Sequence, residues 1–157
     1  MEQRRSRHGT LTAAGILLGL GLGGFFDGIV LHQLLQWHHM VSNVADYPVT
    51  TVAGLKANTL GDGLFHAATY MFTVLGVALL WRSRARPDGS WSTRSFVGLL
   101  LMGWGLFNLV EGIIDHHLLQ IHHVREDAAN QLAWDLAFLV WGAIMLVGGW
   151  RLVAKRT

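Results

Sequence analysis

Four apolar runs constrain this chain more than any other feature. They extend from Leu11 to about Trp37, from about Asn58 to Trp81, from about Ser95 to about Ile121 and from about Ala128 to Val153. Each is long enough to cross the hydrocarbon core of a bilayer, which takes about 20 residues of helix. A chain of 157 residues has one domain's worth of interior and cannot hide four such runs in a soluble core. Hydrophobic residues reach 52% and charged residues only 14%, which is too apolar for an ordinary soluble domain. In hydrocarbon, every backbone N–H and C=O must be satisfied within its own segment, so the runs are predicted to be helices. The expected fold class is all-α, a four-transmembrane-helix bundle in a single integral membrane domain spanning residues 1–157.

The gaps between the runs carry the charge. Arg4, Arg5 and Arg7 precede the first run. Arg82, Arg84, Arg86 and Arg94 surround the middle gap, where Pro87-Asp88-Gly89 signals a turn. Arg151, Lys155 and Arg156 close the chain, and only Lys56 and Arg125 lie elsewhere. Four spans put both termini and the middle gap on one side, and the positive-inside rule makes that side cytoplasmic. The first run continues well past a signal-peptide core and no small-residue cleavage site follows it, so it is read as a retained helix. The expected location is a bacterial inner (cytoplasmic) membrane, multi-pass. The bilayer is the principal partner and no nucleic acid is expected; a homo-oligomer or a respiratory-chain assembly partner is left open. There is no cysteine, which excludes disulfides, thiolate metal sites and cysteine nucleophiles.

A 14-residue stretch, Asp27-Gly-Ile-Val-Leu-His32-Gln-Leu-Leu-Gln36-Trp-His38-His39-Met40, occurs twice. The second copy is Glu111-Gly-Ile-Ile-Asp115-His116-His117-Leu-Leu-Gln120-Ile-His122-His123-Val124, at an offset of 84 residues from Asp27 to Glu111. Gly19 and Gly21 match Gly103 and Gly105 in the same register. The reading is two repeated helical hairpins, about 11–81 and about 95–153, related by a pseudo-two-fold along the membrane normal. Gly15, Gly19 and Gly23 at a spacing of four suit close helix packing.

Seven of the nine histidines fall in these copies. On an α-helix turning 100° per residue, His32 shares a face with Gly28, Gln36 and His39, while Asp27 and His38 lie on the flank. The second copy puts Gly112, His116, Gln120 and His123 on one face, with Glu111, Asp115 and His122 beside it. Spans 2 and 4 begin at the same end of the bundle with Asp62 and His66, and with Asp135. A charge facing lipid is costly, so these groups should point inward as one layer in the outer half of the bilayer. Imidazoles with carboxylates and no thiolates suit Zn²⁺, Fe²⁺ or Cu²⁺. The candidate metal ligands are His32, His66, His116, Glu111, Asp115, Asp135, Asp62, Asp27, His39 and His123. One of each His-His pair is expected at the rim.

Blander roles fit several residues. An isolated membrane His or Gln commonly only hydrogen-bonds helices together. His8 reads as solvated tail and His117 as interfacial. Trp37, Trp81, Trp91 and Trp150 read as interface anchors, and Asp46, Glu126 and Asp127 as loop charges. One apolar helix could do without a polar layer, but a cluster fed by four helices is expensive to bury without a ligand. The function expected is therefore an integral membrane metalloprotein holding one or two ions for metal-dependent catalysis or metal handling. A haem-binding electron carrier, with His32 and His116 or His39 and His123 as axial pairs, is the alternative; the carboxylates in the same layer weigh against it. A proton-coupled transporter is a third reading, opposed by an inner half without ionisable residues.

The duplicated motif, with Asn58-Thr-Leu-Gly-Asp62-Gly-Leu-Phe-His66 at the start of span 2, resembles the bacterial family of predicted membrane proteins catalogued as domain of unknown function 2243. The resemblance covers essentially the whole chain and carries no established activity, so it transfers no catalytic roles. Such proteins are similar in context to factors around cytochrome oxidase assembly, which implies copper or haem handling.

Overall fold

The computed structural model describes residues 2–84 and 92–154, and it is all-helical over them. The turn signal at Pro87-Asp88-Gly89, Trp91 and the basic residues Arg86, Lys155 and Arg156 lie outside the described residues. Helix α1 runs over Glu2–Phe26 and passes without a break into a π-helical turn, Asp27–Leu34. Helix α2 spans Val52–Arg84. Helix α3 spans Thr93–Glu111 and passes into a second π-helical turn, Gly112–Leu118. Helix α4 spans Gln131–Ala154. All four are long and apolar enough to cross a membrane, with candidate spans of 26, 32, 26 and 24 residues.

Capping residues set the helix starts. Thr51 Oγ1 accepts from Gly54 N–H at 3.0 Å, so α2 begins six residues before the Asn58 expected from hydropathy. Ser92 Oγ accepts from Ser95 N–H at the head of α3. Asn130 Oδ1 accepts from Ala133 N–H at 3.1 Å, moving the start of α4 from the expected Ala128 to Gln131. Helix α1 differs most, because it already runs from Glu2 where a tail was expected.

The ends of α1 and α3 depart from sequence expectation in the same way. The first helix was expected to reach Trp37 and the third Ile121, but they stop at Leu34 and Leu118. Leu35 N–H donates to Val30 C=O and Leu119 N–H to Ile114 C=O, both at 2.8 Å, which are i→i−5 bonds. Gln36 and Gln120 then take φ of 50°, a left-handed conformation costing a non-glycine residue about 1–3 kcal/mol. That reversal terminates each helix and turns the two glutamines outward, where both are exposed rather than on an inward face.

Helices α1 and α3 pack on each other, α2 packs on α1, and α4 packs on α3. The central pair is the more enclosed: half of the α1 span is buried, against 11% of the α2 span. The α1–α3 crossing rests on Gly19 and Gly103. A Cβ at Gly19 would come within 2.8 Å of Gly103 Cα, and one at Gly103 equally close to Gly19 Cα. This close approach brings the two π-helical turns side by side at one end of the bundle.

Candidate metal centre

The π-turns decide which side chains meet. Residues five apart stand about 140° apart on an α-helix, whereas a turn closed by i→i−5 bonds brings them nearly over one another. Asp27 and His32 are five apart within the first π-turn, and His32 Nε2 lies 3.0 Å from Asp27 Oδ2. Glu111 and His116 have the same spacing at the second. All four side chains are buried.

Beyond the reversals, each short segment is held by the other. His38 Nδ1 donates to Val124 C=O at 2.9 Å, and His122 Nδ1 donates to Met40 C=O at 3.0 Å. A carbonyl oxygen can only accept, so each ring carries its proton on Nδ1 and presents a lone pair at Nε2. The two rings stack 4.5 Å apart and 9° from parallel. Burial lowers the affinity of both imidazoles for a second proton, His38 well below its ordinary range and His122 to about 4. Both are therefore neutral at pH 7, the form in which histidine ligates a metal.

His32 is oriented likewise. Its Nδ1 donates to Asp62 Oδ1 at 2.8 Å, and its Nε2 faces the interior. His32, His38, His122 and Glu111 each offer one ligand atom, all within 4.8 Å of one another, and all four residues are buried. Three imidazoles whose Nδ1–H groups are fixed on oxygen acceptors, converging on a carboxylate, form a donor set suited to a transition metal.

Among the described residues, the polar atoms facing this point make no hydrogen bonds. Both oxygens of Asp27 and of Glu111, both ring nitrogens of His116, and Nε2 of His32, His38 and His122 are buried without a hydrogen bond. Each such group ordinarily costs about 1–3 kcal/mol.

The structure gives the sequence-predicted residues distinct places. His32 and Glu111 belong to the group of four. Asp27 borders it, 3.0 Å from His32 and 4.0 Å from His38. The His116 ring lies 4.9 Å from that of His122. Asp62 and Asp135 hold rings: Asp62 accepts from His32, from His39 Nδ1 at 2.7 Å, from Gln33 and from Met40 N–H. Asp135 accepts from His123 Nδ1 at 2.7 Å and from Val124 N–H at 2.9 Å. His39 and His123 are thus the outer members of the His-His pairs. His66 lies outside the group of four, its Nδ1 donating to Asp62 C=O at 2.7 Å. Asp115 is half-buried within the second π-helical turn.

His38 and His122 were not among the sequence candidates. An ideal helix drawn through them puts them on the flank, but the helices have already ended and the segments fold back. The five-residue step from carboxylate to histidine, present in both stretches, is the one sequence sign of a non-α turn.

A cap closes the end above these groups. Ser42 Oγ donates to Glu126 Oε1 at 2.6 Å, Glu126 N–H donates to Trp37 C=O at 3.1 Å, and Asn43 N–H donates to Ile121 C=O at 3.0 Å. The Arg125 guanidinium lies against Trp37 and Trp134, 5.1 and 5.4 Å from the ring centres.

No curated protein and no solved structure matches the chain. The sequence profile of the predicted membrane protein family DUF2243 matches residues 14–156, and the chain belongs to that family.

Proposed function

We propose that this chain is an integral membrane metalloprotein whose transition-metal site is built on His32, His38, His122 and Glu111, and that it serves metal-dependent catalysis or metal handling. One observation carries the reading: three buried imidazoles, each with Nδ1 fixed on an oxygen acceptor, turn Nε2 toward a common point beside the buried Glu111 carboxylate, and none of those atoms has a hydrogen bond among the described residues. A bound cation supplies the missing interaction for all of them at once, so the cost of burying them becomes binding energy. Nitrogen and oxygen donors without sulfur favour zinc, iron or copper(II) over copper(I). Haem, with His32 and His116 or His39 and His123 as axial pairs, fits less well, because the buried carboxylates Asp27, Asp62, Glu111 and Asp135 and the stacked His38 and His122 rings crowd the same layer. The test is elemental analysis with a visible spectrum of the protein purified in detergent. Zinc, iron or copper retained without a Soret band is the expected result; a Soret band moves the assignment to haem, and no retained metal rejects it.

The same reading takes the chain as two repeated hairpins, about 11–81 and about 95–153, joined by a pseudo-two-fold along the membrane normal, with both termini cytoplasmic. The offset of 84 residues between the two stretches and the placement of basic residues support it. The site then faces the periplasmic half of an inner membrane. With no native cysteine to interfere, a membrane-impermeant thiol reagent should label Asp46→Cys in intact cells and spare Ser90→Cys; the reverse pattern inverts the orientation.

A further inference from the structure

We infer that the centre holds two metal ions, one anchored by Asp27, His32 and His38 and the other by Glu111, His116 and His122. The inference rests on the metal site proposed above and adds a second ion position to it.

Each triple has the same spacing, carboxylate-x4-His-x5-His. The π-turn joins the first two members and the fold-back brings in the third. Distances divide the six side chains along the same line. In the first triple, His32 Nε2 lies 3.0 Å and His38 Nε2 4.0 Å from Asp27 Oδ2, and the His32 ring is nearer to His38 than to His122, at 4.4 against 5.8 Å. In the second, His122 Nε2 lies 3.7 Å from Glu111 Oε1, and the His116 ring is nearer to His122 than to His38, at 4.9 against 6.2 Å.

A single ion among His32, His38, His122 and Glu111 would leave His116 out of the site and Asp27 only at its edge. His116 is 1% exposed with both ring nitrogens unpartnered, and Asp27 is 1% exposed with neither oxygen hydrogen-bonded. In the first triple, an ion between His32 Nε2 and the Asp27 carboxylate, which lie 3.0 Å apart, would join Asp27 to the site. A second ion on Glu111 and His116 resolves the other half. Asp27 and Glu111, one from each triple, interact with each other, and carboxylates can bridge a pair of ions.

The test is a titration of the full-length, chelator-stripped protein in detergent with Co²⁺, read by its visible bands and by equilibrium dialysis. Wild type should bind two equivalents per chain, and the doubly loaded form should show the lost or altered EPR intensity of a magnetically coupled pair. His116→Ala should bind one equivalent, with an uncoupled Co²⁺ signal. If wild type binds one uncoupled ion, the second position is refuted while the metal site stands. If wild type binds none, both readings fall. The wild-type count and coupling decide the matter even if His116→Ala does not fold.

Discussion

The segments 27–40 and 111–124 carry nearly the same residues and reach nearly the same local structure, but they are not equally fixed. In the first, Asp62 on α2 grips both His32 and His39, at 2.8 and 2.7 Å. In the second, Asp135 on α4 grips His123 at 2.7 Å but stands 3.7 Å from His116, too far for a hydrogen bond. His32 is therefore locked in orientation, while His116 is enclosed without being tied. A rigid ligand sets the geometry of a metal site, and a free one can adjust to the ion or to what binds it. The lesson is that similar sequence on two segments can yield a preorganised half and an adaptable half.

The largest expected effect tests what the segments share. Because each inner histidine bonds the other segment's carbonyl, His38→Ala and His122→Ala should each remove a ligand and open the joint between the segments. Both should lose tightly held metal, a loss of at least 100-fold in affinity, measured by competition with a chromogenic chelator. His117→Ala, on the half-buried neighbour of His116, should keep wild-type affinity. Retention of metal by both inner variants would show that the ligand set lies elsewhere.

A smaller effect separates the segments. Asp62 accepts from four donors and Asp135 from two, with both carboxylates buried. Removing a buried acceptor leaves its donors unsatisfied. Asp62→Ala should destabilise the protein by about 3–5 kcal/mol and Asp135→Ala by about 2 kcal/mol, read as the shift in thermal unfolding in detergent. Asp62→Asn should also weaken metal binding by about 10- to 100-fold, because it disturbs the partner that orients His32. Asp135→Asn should weaken it less. Equal losses from the two substitutions would erase the distinction between a locked half and a free one.

Much of this was readable from sequence, for physical reasons. Apolar run length against bilayer thickness yields the four helices, since lipid leaves a spanning chain no other way to satisfy its backbone. His32 and Glu111 were legible because ionisable residues inside a span must face protein. What sequence could not supply was the change of helical pitch. A wheel drawn at 100° per residue sets Asp27 opposite His32 and keeps Trp37 and His38 on the helix. The actual chain winds wider at Asp27–Leu34 and reverses at Gln36 with φ of 50°. No glycine marks that reversal, so the usual sign of a helix end is missing, and His38 and His122 were placed on the flank rather than among the ligands. The contacts of Asp62 with the segment behind it depend on the same reversal and were equally hidden.

The smallest expected effect concerns the floor of the two π-turns. Gly28 and Gly112 occupy matching places, but different side chains lie over them. A Cβ at Gly28 would come within 2.6 Å of His66 Nε2 and 3.1 Å of Phe65, while one at Gly112 would come within 2.7 Å of Leu139 Cδ2. The leucine methyl is the far end of a flexible chain and can rotate away. His66 cannot withdraw as easily, since its Nδ1 is committed to Asp62 C=O at 2.7 Å, and Phe65 is stacked on His32 with ring centres 5.6 Å apart. Pushing His66 or Phe65 therefore presses on the locked half of the site. Gly28→Ala should cost about 1–2 kcal/mol of stability and shift the visible spectrum of the Co²⁺-loaded protein. Gly112→Ala should stay within about 0.5 kcal/mol of wild type, since alanine's better helix propensity offsets a small repacking. The reverse order of the two substitutions would mean that the second segment, not the first, is the rigid one.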